Sequence, residues 1–110
     1  MEGFMKGDVV VVPFPFSDLS HAKRRPALVV SPLSKGDVIL CQITSQTVLD
    51  EYSISLGEEA FAEGSLRKPS NVRPNRLFTA ASSLIVSHVG RLSSPAMDQV
   101  IDTIVRIIKS

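Results

Sequence analysis

Arg25 to Thr44, reading RPALVVSPLSKGDVILCQIT, is the stretch that decides the fold. Two apolar, β-branched runs, Arg25–Ser31 and Val38–Thr44, flank the turn-forming residues Ser34, Lys35 and Gly36. Parallel strands need a crossover of about a dozen residues or more, so a link this short predicts an antiparallel hairpin. Side chains alternate across a strand. Ile39, Cys41 and Ile43 therefore share one face, with Leu40, Gln42 and Thr44 on the other. In the first run Arg25, Ala27 and Val29 point one way, and Leu28 and Val30 the other. Arg25 and Thr44 fall at strand ends, where side chains leave the core and reach solvent.

Toward the N-terminus, the valine-rich segment Asp8–Phe16 predicts another strand, interrupted by Pro13 and Pro15. Proline cannot donate to a central ladder, so the second half must lie at an edge or leave the sheet. Asp18–His21 reads as an exposed connection. Toward the C-terminus, Tyr52–Leu56 predicts a fourth strand, and Gly57–Pro69 is the least regular region, with a helical turn at Glu58–Ala62. Asn71–Arg73 reads as a short strand, Pro74–Ala81 as a short turn of helix and Leu84–Arg91 as the last strand. A closing helix follows, with Ser94 as N-cap, Pro95 as first helical residue, and Arg106 and Lys109 at its negative end. Met97, Val100, Ile101, Ile104, Val105, Ile107 and Ile108 fall within an arc of about 160° on that helix. A stripe so wide must be covered by a sheet, a second subunit or both, which predicts a homodimer.

The totals fit one domain spanning residues 1–110: 44% of residues are apolar and 21% charged, the ordinary globular range. Net charge is only +1, but its layout is uneven. Lys23, Arg24 and Arg25 are consecutive, and Arg67, Lys68, Arg73 and Arg76 crowd a second segment. Between them Asp50 to Glu63 holds five acids and no base. Local patches, not net charge, would have to bind any nucleic acid. Cys41 is the single cysteine and sits in an apolar run, as expected of a buried residue in a reducing compartment. No segment approaches the ~18 apolar residues of a membrane span, and no signal-peptide pattern opens the chain, so a soluble, cytoplasmic protein is expected. Met5 is an alternative start.

The common catalytic inventories are empty. His21 and His88 stand far apart in sequence and are expected to lack nearby acids on a common face, which gives no metal spacing. No glycine loop cradles phosphate, and no serine occupies a nucleophile elbow. What remains is chemistry by arginine, hydroxyls and backbone groups. RNA suits it, because the 2′-hydroxyl beside each phosphate is a built-in nucleophile. An enzyme then has to hold the nucleotide in line and stabilise charge growing on the phosphorane, a task for a planar, permanently charged guanidinium.

Gly7-Asp8-Val9-Val10, then Arg25-Pro26-Ala27-Leu28-Val29-Val30, then Ile43-Thr44-Ser45-Gln46, resemble the MazF/PemK family of type II toxin–antitoxin toxins in order and spacing. Asn71–Thr79, Leu84–Arg91 and the closing helix extend the resemblance over nearly the whole chain. It implies a β-rich α+β fold: a small SH3-like twisted antiparallel barrel with a C-terminal amphipathic helix. The activity it implies is a metal-independent endoribonuclease cutting single-stranded RNA by 2′-hydroxyl attack, with no cofactor. The implied partners are the RNA, a cognate antitoxin, a second copy of the chain and operator DNA bound as the toxin–antitoxin complex. By the same resemblance Arg25 and Thr44 are the catalytic candidates, with Ser45 and Gln46 contacting RNA beside them. Lys23, Arg24, Arg73, Asn75 and Arg76 are candidate RNA contacts, and Phe16, like Phe14, could stack on a base.

The pattern is not matched throughout. Many relatives carry an acid and a glutamine where this chain has Asn75 and Arg76, and Lys23-Arg24 replaces a glycine-rich approach to Arg25. Base preference is therefore not transferable. The alternative reading is a non-catalytic DNA- or protein-binding module on the same fold, such as a gyrase poison or an inactive relative.

Overall fold

The computed structural model describes residues 3–14 and 23–110. Seven strands, β1 (Asp8–Phe14), β2 (Lys23–Pro32), β3 (Asp37–Thr44), β4 (Ile54–Leu56), β5 (Phe61–Gly64), β6 (Ser70–Ala81) and β7 (Ser87–Leu92), precede a single helix α1 (Ser94–Lys109). They form one antiparallel sheet in the order β4-β6-β3-β2-β1-β7-β5. The sheet curls into a nearly closed barrel, its end strands β4 and β5 linked only by the turn through Glu58–Ala60.

The β2–β3 hairpin forms as its sequence requires. Ala27 pairs with Gln42 and Pro32 with Val38, and Lys35 (φ 63°) turns the chain with Gly36 (φ 85°). The expected alternation is present, but both faces are covered. Leu28, Cys41 and Ile43 point into the barrel with Val9 and Val72, closed by Met97, Val100 and Ile104 of α1. Val10, Val12, Ala27, Val29 and Leu40 form a second cluster on the outer face, under Phe4, Phe14, Phe78 and Ile85. Strands buried on both faces need near-continuous apolar runs, which explains why β1 and β2 are so rich in valine. β1 pairs with β7 only from Asp8 to Val11, so Pro13 lies where that edge is open and costs no ladder bond.

Three sequence expectations are corrected. Pro74–Ala81 is not a helical turn but the second half of β6, a twelve-residue strand. Val38, Leu40 and Cys41 present a long apolar edge that a strand can pair with and a helical turn cannot, so tertiary pairing overrides the local signal. Pro74 is accommodated because the register jumps there: Gln42 pairs with Arg73 but Cys41 with Leu77, which leaves Pro74, Asn75 and Arg76 in a bulge. The helix cap is Ser93, not Ser94; its hydroxyl accepts from Ala96 N–H at 3.3 Å. The last strand starts at Ser87, not Leu84: Leu84 ends a turn at Ser82–Leu84, and Val86 N–H donates to the Val11 carbonyl at 2.8 Å. Smaller shifts follow: β4 starts at Ile54, two residues after Tyr52, and the helical turn stops at Ala60.

One glycine positions the later site. Gly64 has φ 71°, and a Cβ there would lie 2.2 Å from the Val89 carbonyl oxygen and 2.5 Å from Gly90 Cα. Only glycine fits both the backbone and that approach. The close contact sets the end of β5 against β7 and starts the loop 65–69 beside Val89.

Candidate active site

The barrel opens at one end into a cleft of about 540 Å³. Two consecutive arginines of β2, Arg24 and Arg25, form one wall together with Thr44 and Ser45 at the exit of β3. The β2–β3 register, continued two residues past Ala27 and Gln42, sets Arg25 across from Thr44. Val11, Ile43, Leu66 and Val89 make an apolar floor. Across it stand Arg67 and Lys68, on the loop between β5 and β6. Among the described residues, the lining holds four cationic side chains and no carboxylate.

Thr44 is almost wholly buried, 9% exposed. Its Oγ1 accepts a hydrogen bond from Gln46 N–H at 3.1 Å. With one lone pair so engaged, the hydroxyl retains its proton to donate into the cleft. Downstream, Asn71 Nδ2 donates to the Gln46 carbonyl at 3.3 Å and so ties this segment to β6. Arg25 is half-buried and sits opposite Val12 on β1.

The remaining candidates separate. Arg24 and Ser45 share the cleft with Arg25 and Thr44, whereas Lys23 and Gln46 are exposed at its margin and do not line it. Arg73 is outside the cleft: its Nη2 donates to Asp50 Oδ2 at 3.3 Å. Asp50 is itself held below the usual carboxylate range, first by the Tyr52 N–H and then by the Ser53 N–H and Arg73. Asn75 and Arg76 are exposed on the β6 bulge, also away from the cleft. Phe16 lies outside the described residues, as does His21. Phe14, the other aromatic candidate, packs against Phe78 with ring centroids 4.6 Å apart. Burial pushes the Cys41 thiol up to about 12, so it stays protonated and unreactive near neutral pH.

Arg67 and Lys68 were visible in the sequence as part of a basic segment, but no motif assigned them to the site. The fold brings them there by turning the loop at Gly64. His88 also differs from expectation. Its Nε2 lies 3.3 Å from Asp8 Oδ1, an acid eighty positions away in sequence. The same carboxylate, 3% exposed, accepts from Arg91 Nε at 3.0 Å and from Met5 N–H at 2.8 Å. Among the described residues, no three of His, Cys, Asp and Glu converge in a group able to hold a metal ion. No helix is long and apolar enough to cross a membrane.

Residues 5–108 match the sequence model of the PemK-like, MazF-like toxins of type II toxin–antitoxin systems. The chain belongs to that family. Solved structures agree in fold. The MazE–MazF complex of Deinococcus radiodurans superposes with a TM-score of 0.79 at 17% identity, covering 99% of this chain and 98% of that one. MazF of the same organism gives 0.76 at 18% identity, with 100% of each chain covered. An endoribonuclease from a mycobacterial species, in complex with its cognate antitoxin, gives 0.78 at 13% identity over 97% of this chain and 96% of that one. No curated protein sequence matches the chain. The protein is thus a toxin of a type II toxin–antitoxin system with the MazF barrel.

Proposed function

We propose that this toxin is an endoribonuclease that cuts single-stranded RNA by attack of the substrate's own 2′-hydroxyl, without a metal ion. The observation that carries the reading is the cleft itself: Arg25 and Thr44, from two neighbouring strands, open onto one space lined by cations and, among the described residues, by no carboxylate. A dianionic phosphorane is the species such a space stabilises best. Arg25 would place its paired N–H donors on the non-bridging oxygens and stay charged throughout, while the 2′-hydroxyl proton leaves to water and water returns one to the departing 5′-oxygen. Thr44 would add one neutral donor. The products are a 2′,3′-cyclic phosphate and a 5′-hydroxyl. No metal is needed, because the nucleophile is tethered to the phosphate it attacks. Two solved structures of the same fold, both from mycobacterial species, are endoribonucleases, which supports the same reading.

A cognate antitoxin is the natural inhibitor of this cleft, in keeping with relatives solved as antitoxin complexes, and operator DNA is a further partner of that complex. Action on RNA in the cytoplasm follows from the same reading. A second copy of the chain would cover apolar positions that one barrel leaves exposed. Met97, Val100 and Ile104 are satisfied by the barrel interior, but Val105 and Ile108 of the same helix remain 43% and 70% exposed. Leu33 and Leu84, on adjacent turns beside the outer cluster, are 43% and 51% exposed.

The reading is tested by incubating purified protein with a mixed RNA in excess chelator and mapping the ends. Cleavage should persist, with 5′-hydroxyl and 2′,3′-cyclic phosphate termini. Activity that vanishes in chelator and returns with Mg²⁺ would overturn it.

A further inference from the structure

The loop between β5 and β6 crosses the cleft from the wall that carries Arg25 and Thr44, and no residue of the proposed chemistry comes from it. Its construction is nonetheless specific. Gly64, with φ 71° and no room for a Cβ, sets the start of the loop against Val89. At the far end Ser70, 6% exposed, donates from Oγ to the Lys68 carbonyl at 2.9 Å, across Pro69. Leu66 is turned into the floor. Arg67 and Lys68 are thus held at the rim between two fixed points, although both are exposed.

The charge state of these side chains distinguishes them from other bases of the fold. Arg73 is paired with Asp50 at 3.3 Å, and Arg91 with Asp8 at 3.0 Å and Glu63 at 3.6 Å. Among the described residues, no carboxylate pairs with Arg24, Arg67 or Lys68. Glu58 does not line the cleft; it lines a neighbouring depression on the loop's other side, which Arg67 and Lys68 also border, and it forms no ion pair with either. Cations left without counter-charges on opposite sides of an apolar floor form a site for a chain that carries a negative charge at each link and a flat apolar body between links. Single-stranded nucleic acid is such a chain, with a flat base at every link, whereas a peptide carries an aromatic ring only where its sequence supplies one.

We infer that Arg67 and Lys68 are a second phosphate-binding wall. They hold the RNA backbone flanking the phosphate that Arg25 and Thr44 act on, with an unstacked base resting on Val11, Leu66 and Val89. The inference rests on the endoribonuclease reading and adds binding residues to it. Ser70 acts as a positioning residue for Lys68.

The experiment measures binding of a fluorescein-labelled RNA made non-cleavable by 2′-deoxy substitution, over a salt series, for the wild type and for Arg67→Gln/Lys68→Gln. Each phosphate contact on a single strand contributes about 0.7 to the slope of log K against log salt, so the double variant should lose about 1.4. The charge-preserving exchange Arg67→Lys/Lys68→Arg should restore the slope. With cleavable RNA, KM of the double variant should rise at least about tenfold while kcat falls far less than in Arg25→Ala. If the double variant does not fold, Lys68→Gln alone should lose about 0.7 of the slope. An unchanged slope, or a kcat loss matching that of Arg25→Ala, overturns the inference while leaving the nuclease standing. Wild-type protein that cleaves no RNA overturns the endoribonuclease reading itself.

Discussion

Two groups of arginines occupy this small barrel, and their surroundings differ in kind. Arg91 and Arg73 lie against carboxylates: Asp8 is buried and takes three donors, and Asp50 braces the segment before β4. Arg24, Arg25 and Arg67 line a cleft to which no acid among the described residues contributes. A guanidinium held by a carboxylate is already partly neutralised, and Arg91 cannot leave the buried Asp8 without cost to the fold. Arg24 and Arg67, which no carboxylate among the described residues pairs with, can meet an anion. Arginine number therefore says little about the active site, and the placement of the acids says most.

The comparison can be broken from either side. The largest effect belongs to the cleft. Arg25→Ala should lower kcat by about 10²–10³-fold, the usual cost of removing a donor aimed at developing charge. Thermal unfolding should change little. Arg25→Lys should recover little activity, because a point charge does not replace the planar fork. A large stability loss with retained turnover would place Arg25 in the structural group.

Asp8 should behave oppositely. Asp8→Asn leaves Arg91 and His88 facing an amide and should destabilise the fold by about 1–3 kcal/mol, read as a denaturant midpoint shift at constant slope. Its kcat should stay near wild type. A cleavage defect without destabilisation would move the Asp8 cluster into the functional group.

The smallest effect is at Asp50. Its carboxyl pKa is lowered in the fold, so its ionised form contributes stability above the unfolded value near ~3.9, and that contribution fades as pH falls through the lower folded value. Asp50→Asn should therefore be slightly less stable than the wild type at pH 7, with the gap closing in acid. A gap that widened in acid would show that the hydrogen bonds Asp50 accepts from Tyr52, Ser53 and Arg73 are not its source.

Much of this was readable in the sequence. The hairpin Arg25–Thr44 announced itself by β-branched runs and a short turn, and the helix by its stripe. The errors have physical causes. Pro74 signalled a break, but a bulge absorbed it within a long strand. Ser93 and Ser94 are chemically equivalent caps, and only backbone geometry chooses between them. Arg73, Asn75 and Arg76 carried the right chemistry for RNA, yet local pattern could not reveal the Asp50 partner or the outward bulge. Arg67 and Lys68 needed the fold itself, since it is the approach of Gly64 to Val89 that carries their loop over the cleft.

The central claim is that the substrate brings its own nucleophile to Arg25 and Thr44. The most direct measurement uses an oligonucleotide with a mapped cleavage site, in which only the nucleotide preceding the scissile bond is changed to 2′-deoxy. The account predicts that cutting at that bond stops while binding is retained. Cleavage there at the all-RNA rate would contradict it.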